Sequence, residues 1–244
     1  MKKALLIIFT LLCVSTLSSQ TVEEVLDMHY EAVGGKERFD AIKSWHLVGN
    51  SKLGVNEPGD FQFIYVRPNQ IKIRTIIDTF KIIQAVNVDK GWQVVPTTGI
   101  TDPVPLTDKE VLQILGQKAL VLGPFYDYKE KGAKLTYEGV VQKDGNNYKK
   151  IRIETKDNGP KSTVFLNDST NLVHVIETET VNGGMALNIV NIISNYYEVD
   201  GFMFPFSFVS SINGKQYTQL ELDNIIIDRE YGDDVFDMPE KDRQ

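Results

Sequence analysis

The sequence predicts a mainly-β protein of the α+β class, built on one large, strongly curved antiparallel sheet that wraps around helices on one face. Three observations predict it. From Trp45 onward apolar residues recur with period two: Ile71, Ile73, Thr75 and Ile77 alternate with Lys72 and Arg74, the pattern of a half-buried antiparallel strand. Turn signals recur at Asp89-Lys90-Gly91, Asp144-Gly145, Asn158-Gly159, Asn182-Gly183-Gly184, Asp200-Gly201 and Asn213-Gly214. Their spacing of roughly 10 to 20 residues marks hairpins and gives about eleven or twelve strands. Helical patterns occur in two places only, ahead of the sheet and midway along it, not between parallel strands as a doubly wound fold requires.

Taken in order, the chain opens on an export signal. Met1-Lys2-Lys3 is positive, Ala4 to Val14 is apolar apart from Thr10, and small or polar residues follow to Ser19, so residues 1–20 read as a cleaved secretory segment. The apolar run falls short of the roughly 20 residues a membrane-spanning helix needs. The only cysteine, Cys13, lies in that run behind Leu12, where lipid attachment calls for a small residue. The exported chain is therefore expected to be a free, disulfide-less protein held by an ordinary core, with a periplasm as its compartment.

Residues 21–244 read as one domain. Thr21 and Glu24 form a capping box, and Val22, Val25, Leu26, His29 and Val33 carry a helix that Gly34-Gly35 ends. A short helix over 36–43 follows. Past the first strands, Asp102-Pro103-Val104-Pro105 leads to a second capping box, Thr107 and Glu110, and a helix to about residue 120 with Val111, Leu112, Leu115 and Ala119 as its apolar stripe. Gly123-Pro124 breaks it, and Pro124 suits the start of another short helix to Tyr128. Several strands are apolar on both sides, as in Phe80, Ile82 and Val86 against Ile83 and Ala85. Such strands suit either a packed central sheet or a curved sheet lining an apolar cavity.

Composition narrows the function. The formal net charge of −7 becomes two units more negative when Lys2 and Lys3 leave with the signal. An acidic chain without a basic block argues against nucleic-acid partners and against adhesion to an anionic membrane. No nucleophile elbow, phosphate loop, dinucleotide fingerprint or zinc helix is present. His29, His46 and His174 stand apart without ligand spacing, and Asp233, Asp234 and Asp237 lack the pattern of a calcium loop. Glu177 and Glu179 lie among polar residues rather than in the apolar site that a general acid needs. These readings point to a non-enzyme without metal or cofactor. Trp45 and Trp92 are assigned to the hydrophobic interior.

Three segments carry a resemblance. Gly59-Asp60-Phe61-Gln62-Phe63-Ile64-Tyr65-Val66 runs into Arg67-Pro68-Asn69, Asp89-Lys90-Gly91-Trp92 opens a later strand, and Asp234-Val235-Phe236-Asp237-Met238-Pro239 closes the chain. Together with the order of elements these resemble the LolA/LolB family of outer membrane lipoprotein-sorting proteins. The resemblance implies an incomplete β-barrel of about 11 strands whose open side is covered by helices, here residues 21–43 and 107–130. It implies a periplasmic carrier that holds lipoprotein acyl chains or a related lipid in an apolar slot, working with inner- and outer-membrane sorting components. It further implies that Arg67 latches the helical lid by donating to carbonyls near residues 99–123, with Ile73, Ile82, Trp92, Leu112 and Leu115 around the slot. As an ordinary turn, Arg-Pro-Asn would need no such role. The Val33-Gly34-Gly35-Lys36-Glu37 opening departs from the carrier and leaves the ligand open among lipoprotein, free lipid, glycolipid and another apolar molecule. The alternative is a binding or sensor module of the same fold, without transport.

Overall fold

The computed structural model describes residues 20–54, 57–156 and 159–240. The expected signal segment, Gln20 apart, lies outside the described residues, as does Asn158 of the Asn158-Gly159 turn. Helix α1 (Val22–Ala32) starts at the Thr21/Glu24 capping box, with the Thr21 hydroxyl accepting from the Glu24 amide at 3.2 Å. Helix α2 (Lys36–Ala41) follows. Gly34 joins them at φ +113°, and a Cβ there would stand 2.6 Å from the Gly201 carbonyl oxygen. Only glycine lets this corner approach the sheet so closely.

Six strands follow: β1 (Ser44–Leu53), β2 (Gly59–Val66), β3 (Gln70–Ile77), β4 (Phe80–Asn87), β5 (Lys90–Val95) and β6 (Ile100–Pro105). Helices α3 (Asp108–Gly116) and α4 (Ala119–Leu122) interrupt the sheet. Seven strands complete it: β7 (Lys134–Lys143), β8 (Asn146–Glu154), β9 (Lys161–Asn167), β10 (Val173–Asn182), β11 (Met185–Val199), β12 (Phe202–Ile212) and β13 (Lys215–Ile227). All thirteen form one antiparallel sheet in the order β6-β5-β4-β3-β2-β1-β13-β12-β11-β10-β9-β8-β7. The sheet is not closed: its edges are β6 and β7, and the helical insert 106–133 runs from one edge to the other.

Thirteen strands exceed the expected eleven or twelve. One of them, β6, occupies the Pro103-Val104-Pro105 segment, which reads as an approach to α3. Edge position explains it, because β6 pairs only with β5 and its prolines lose no ladder bond on the open side. The expected helix from Pro124 to Tyr128 is a series of turns instead.

The concave face packs in two clusters. One gathers Phe39 and Ile42 of the α2 region, Val111, Ile114, Val121 and Leu122 of the insert, and Trp45, Leu47, Phe63, Tyr65, Ile71 and Val86 of β1–β4. The other sets Val25 and Leu26 of α1 and Phe125 against Ile151, Val164, Leu166 and Ile193. Each large side chain so buried stabilises the fold by roughly 1.5–3 kcal/mol. The convex face carries a strap, the chain after β13. Its Phe236 is 1% exposed, and its carbonyls accept from Lys72 Nζ (Val235 O, 2.7 Å) and Trp92 Nε1 (Phe236 O, 2.9 Å).

Candidate ligand-binding face and its latch

Arg67 stands where β2 ends, at the rim on the same end of the sheet as α2. Its backbone amide donates to Lys43 O at 2.9 Å. Its Nε donates to Ile42 O at 2.8 Å, at the C-terminal end of α2, and Nη1 donates to the Tyr126 hydroxyl at 2.7 Å, in the insert. The guanidinium carbon sits 5.1 Å from the Trp45 ring centre and 5.1 Å from that of Tyr126. Trp45 in turn stacks on Tyr65 at 5.4 Å. A planar, always-charged fork is what such an arrangement needs: two divergent donors and two flat faces in one side chain, which a lysine lacks. One residue thereby ties the barrel rim, the helical opening and the insert together. The acceptors are Ile42 and Tyr126, rather than carbonyls near residues 99–123. Nη2 of Arg67 and the indole N–H of Trp45 are buried without a partner among the described residues.

Arg67 and Tyr126 border a cleft of about 390 Å³ between α1, α2 and the insert, together with Leu26, Tyr30, Phe39 and Leu122. Burial, with Asp40 nearby, pushes the Tyr30 phenol up to about 12, and burial does the same to Tyr65. Beneath the helices, an apolar space of about 80 Å³ is bounded by His29, Phe39, Leu122, Ile193, Phe204 and Phe208. That is far below the roughly 300–1,000 Å³ of an occupied small-molecule site. Near the latch the concave face is thus filled. Farther along β2–β4, the inward row of Phe61, Ile73, Thr75, Ile77 and Ile82 is only half-buried.

The expected site residues divide. Arg67 bridges Ile42 and Tyr126 at the rim, and Ile73 and Leu115 of α3 both pack against the concave core. Ile82 pairs with Thr75 and so shares the inward row. Leu112 does not belong with them: it is 70% exposed, and α3 buries Val111 and Ile114 instead. Positions 111, 114 and 115 share one face of a 3.6-residue helix, whereas 112 lies about 100° round from 111, off that face. Trp92 is buried but on the convex face, where its partner is Ala85 and its cover is the strap. The opposed pairs Ile71–Val86 and Val86–Gly91 run along the concave side, and Trp92 is one residue out of phase with them.

The histidines serve packing. His29 Nδ1 meets Asn171 O at 2.9 Å, and burial lowers its pKa to about 4. His174 stacks on Tyr148 at 5.7 Å. His46 lies on the convex face beneath Tyr231, its pKa lowered by burial and by Arg229. Sequence reasoning missed Ile42 and Tyr126 as latch partners; Tyr126 stands 59 residues from Arg67, and nothing in local periodicity links them.

No family model matches the sequence, and no curated protein matches it significantly. Solved structures do. A LolA superfamily protein from Nitrosomonas europaea superposes with a TM-score of 0.56 at 11% identity, over 90% of this chain and 98% of that one. The fold is LolA-like. A domain described as outer membrane lipoprotein-sorting, from Vibrio parahaemolyticus, gives 0.55 at 13% identity, covering 87% of this chain and 94% of that one. A DUF1329 family protein from Desulfovibrio piger gives 0.55 at 10% identity over 90% and 98%. The LolA-like fold accounts for the open curved sheet and the helices set against it. Among the described residues no helix is long and apolar enough to cross a membrane.

Proposed function

We propose that residues 21–244 form one LolA-like half-barrel domain, exported to the periplasm, that carries the acyl chains of a lipoprotein or related lipid toward the outer membrane. The observation that supports this most is the insert 106–133: it spans the open side of an apolar concave sheet and is pinned at the rim by Arg67 through Tyr126. In this arrangement the apolar space bounded by His29, Leu122, Phe204 and Phe208 is about 80 Å³, so cargo enters when the insert swings out and Val121, Leu122 and Leu115 leave the sheet. Burying a dozen methylenes contributes about 10 kcal/mol at ~0.8 kcal/mol each, which exceeds what one latch withholds. Ile73, Ile82 and Leu115 then line the slot, Arg67 sets the opening equilibrium, and sorting components of the two membranes load and unload it.

Native mass spectrometry of the protein purified from its periplasm, with displacement of a fluorescent fatty acid, tests the reading. The expected result is a co-purified lipid, or saturable displacement that Ile73→Asp abolishes. A protein that is lipid-free and neither binds nor displaces the probe would refute carriage.

A further inference from the structure

On the convex face, the register of β2–β4 gathers positive charge beside the strap. Ile64 opposes Lys72, Lys72 opposes Ala85 and Ala85 opposes Trp92, so these four form the row that the strap crosses. Two residues farther along, on the same face, Gln62, Arg74 and Ile83 form the next row, and beyond it Ile76 opposes Lys81. A groove of about 240 Å³ opens here between Lys72, Arg74, Lys81 and Val235 of the strap, with Gln62, Ile64 and Ile83 completing its lining.

No carboxylate lines this groove, in a chain whose acidic side chains outnumber its basic ones by 33 to 26. The carboxylates at its margins engage the cations weakly. Asp60 Oδ2 stands 4.0 Å from Arg74 Nη2 and its side chain is 66% exposed, so water screens the pair. Asp78, in the exposed β3–β4 turn, makes no ion pair among the described residues. Burial and the charge of Lys81 lower the Lys72 pKa, and the opposing pull of the strap's Asp234 is smaller than the push of Lys81. Donors are also in surplus. Lys72 Nζ donates to Val235 O at 2.7 Å, while the side chains of Arg74, Lys81 and Gln62 donate no hydrogen bond to any described residue.

We propose that this groove is a phosphate site, holding inorganic phosphate or the phosphate of a small monoester between Lys72, Arg74 and Lys81. Phosphate matches the donor set better than a carboxylate does. A phosphate monoester brings a charge of roughly −1.5 to −2 and three strong acceptor oxygens, whereas a single carboxylate leaves two of the cations uncompensated. Arg74 supplies a planar fork for two of those oxygens, and the lysines act as point charges. Ile64 and Ile83 keep part of the lining apolar, which strengthens each charge–charge contact. The volume falls below the roughly 300–1,000 Å³ of a drug-sized site, in keeping with one small anion. Lys72, Arg74 and Lys81 lie on the opposite side of the sheet from Ile73 and Ile82, so the site stands independently of the carrier reading.

The test is titration of the purified protein with inorganic phosphate, with glycerol 3-phosphate and with acetate, all at matched ionic strength, followed by calorimetry and by amide chemical shifts. Saturable binding of phosphate is expected, with shifts confined to amides around residues 62–64, 72–74, 81–83 and 235. Arg74→Gln with Lys81→Gln weakens it at least tenfold, and Asp60→Asn, which removes the competing carboxylate, tightens it. Lys161→Gln with Lys215→Gln changes the net charge equally but far from the groove, and leaves binding as it was. Glycerol 3-phosphate binding as well as phosphate assigns the site to a monoester, and phosphate binding alone assigns it to the free ion. Acetate that binds as well as phosphate, shifts spread over the whole surface, or an equal loss in the Lys161 and Lys215 variant would overturn the proposal. So would binding indifferent to both the Arg74 and Lys81 pair and Asp60→Asn.

Discussion

Replacing Arg67 with leucine removes the Nη1 bond to Tyr126 (2.7 Å), the Nε bond to Ile42 O (2.8 Å) and two cation–π contacts at 5.1 Å. Only the Tyr126 terms hold the insert. A hydrogen bond from a charged donor contributes about 1.5–3 kcal/mol, and a partly desolvated cation–π contact about 0.5–2 kcal/mol. Together they make roughly 2–5 kcal/mol of latch, which at about 1.4 kcal/mol per decade shifts the opening equilibrium by about thirtyfold to several thousandfold. Hydrogen–deuterium exchange reads this directly. Amides of α3 and α4 should exchange faster by that factor in Arg67→Leu, while amides of β8–β12 keep their wild-type protection once any global loss of stability is subtracted. Tyr126→Phe removes the hydroxyl and keeps the ring, so it should give the larger part of the effect. The double variant should add little beyond Arg67→Leu, the signature of one shared contact. Insert amides that exchange at the wild-type rate in Arg67→Leu would show that apolar packing, not the latch, holds the insert, and the reasoning would fail.

Three further outcomes follow from the geometry. His29 is buried with its pKa near 4 against 6.5 when exposed, so the unfolded chain takes up a proton first. Stability is complete above about pH 6.5 and falls by roughly 3 kcal/mol as pH drops toward 4; urea unfolding across that range should show the slope, and His29→Gln should flatten it. Gly34→Ala forces a Cβ against Gly201 O at φ +113° and should cost about 2 kcal/mol or more. Gly35→Ala, with nothing within 4 Å, should cost less in the same thermal melts. Phe236→Ala empties a site that is 1% exposed, which should cost about 3–5 kcal/mol and shift the emission of Trp92 to the red as the strap loosens.

What the sequence disclosed was local. The Thr21/Glu24 and Thr107/Glu110 capping boxes are complete within four residues, and both helices start where those boxes place them. The alternation of Ile71, Ile73, Thr75 and Ile77 is equally local and marks β3 correctly. Which side of a strand faces the helices is not local. Period two separates Trp92 from Gly91 and Gln93 but names neither face as inner, and the strap that buries Trp92 comes from 144 residues later. The face of α3 was misjudged because Leu112 and Ile114 are equally apolar, and only the sheet beneath selects between them. Arg67 stood out as a strand-end arginine, yet its acceptors, one 25 residues before it and one 59 after, come together only through the pairing of β1 with β2 and the return of the insert across the sheet.

The connectivity has a mechanical consequence. The start of β1 and the end of β13 are neighbours, with Asp228 N donating to Ser44 O at 3.0 Å and Lys43 N to the Asp228 carboxylate at 2.7 Å. The two free edges are joined by the insert alone. The polypeptide therefore behaves as a drawstring around the mouth of the sheet, with both ends of the string sewn to opposite hems. Spreading β6 from β7 takes up slack in residues 106–133, whose reach is bounded at roughly 3.3–3.6 Å per residue. Any force that spreads β6 from β7 thus draws the insert taut across the open side, and bringing the two edges together returns the slack in which α3 and α4 lie against the sheet.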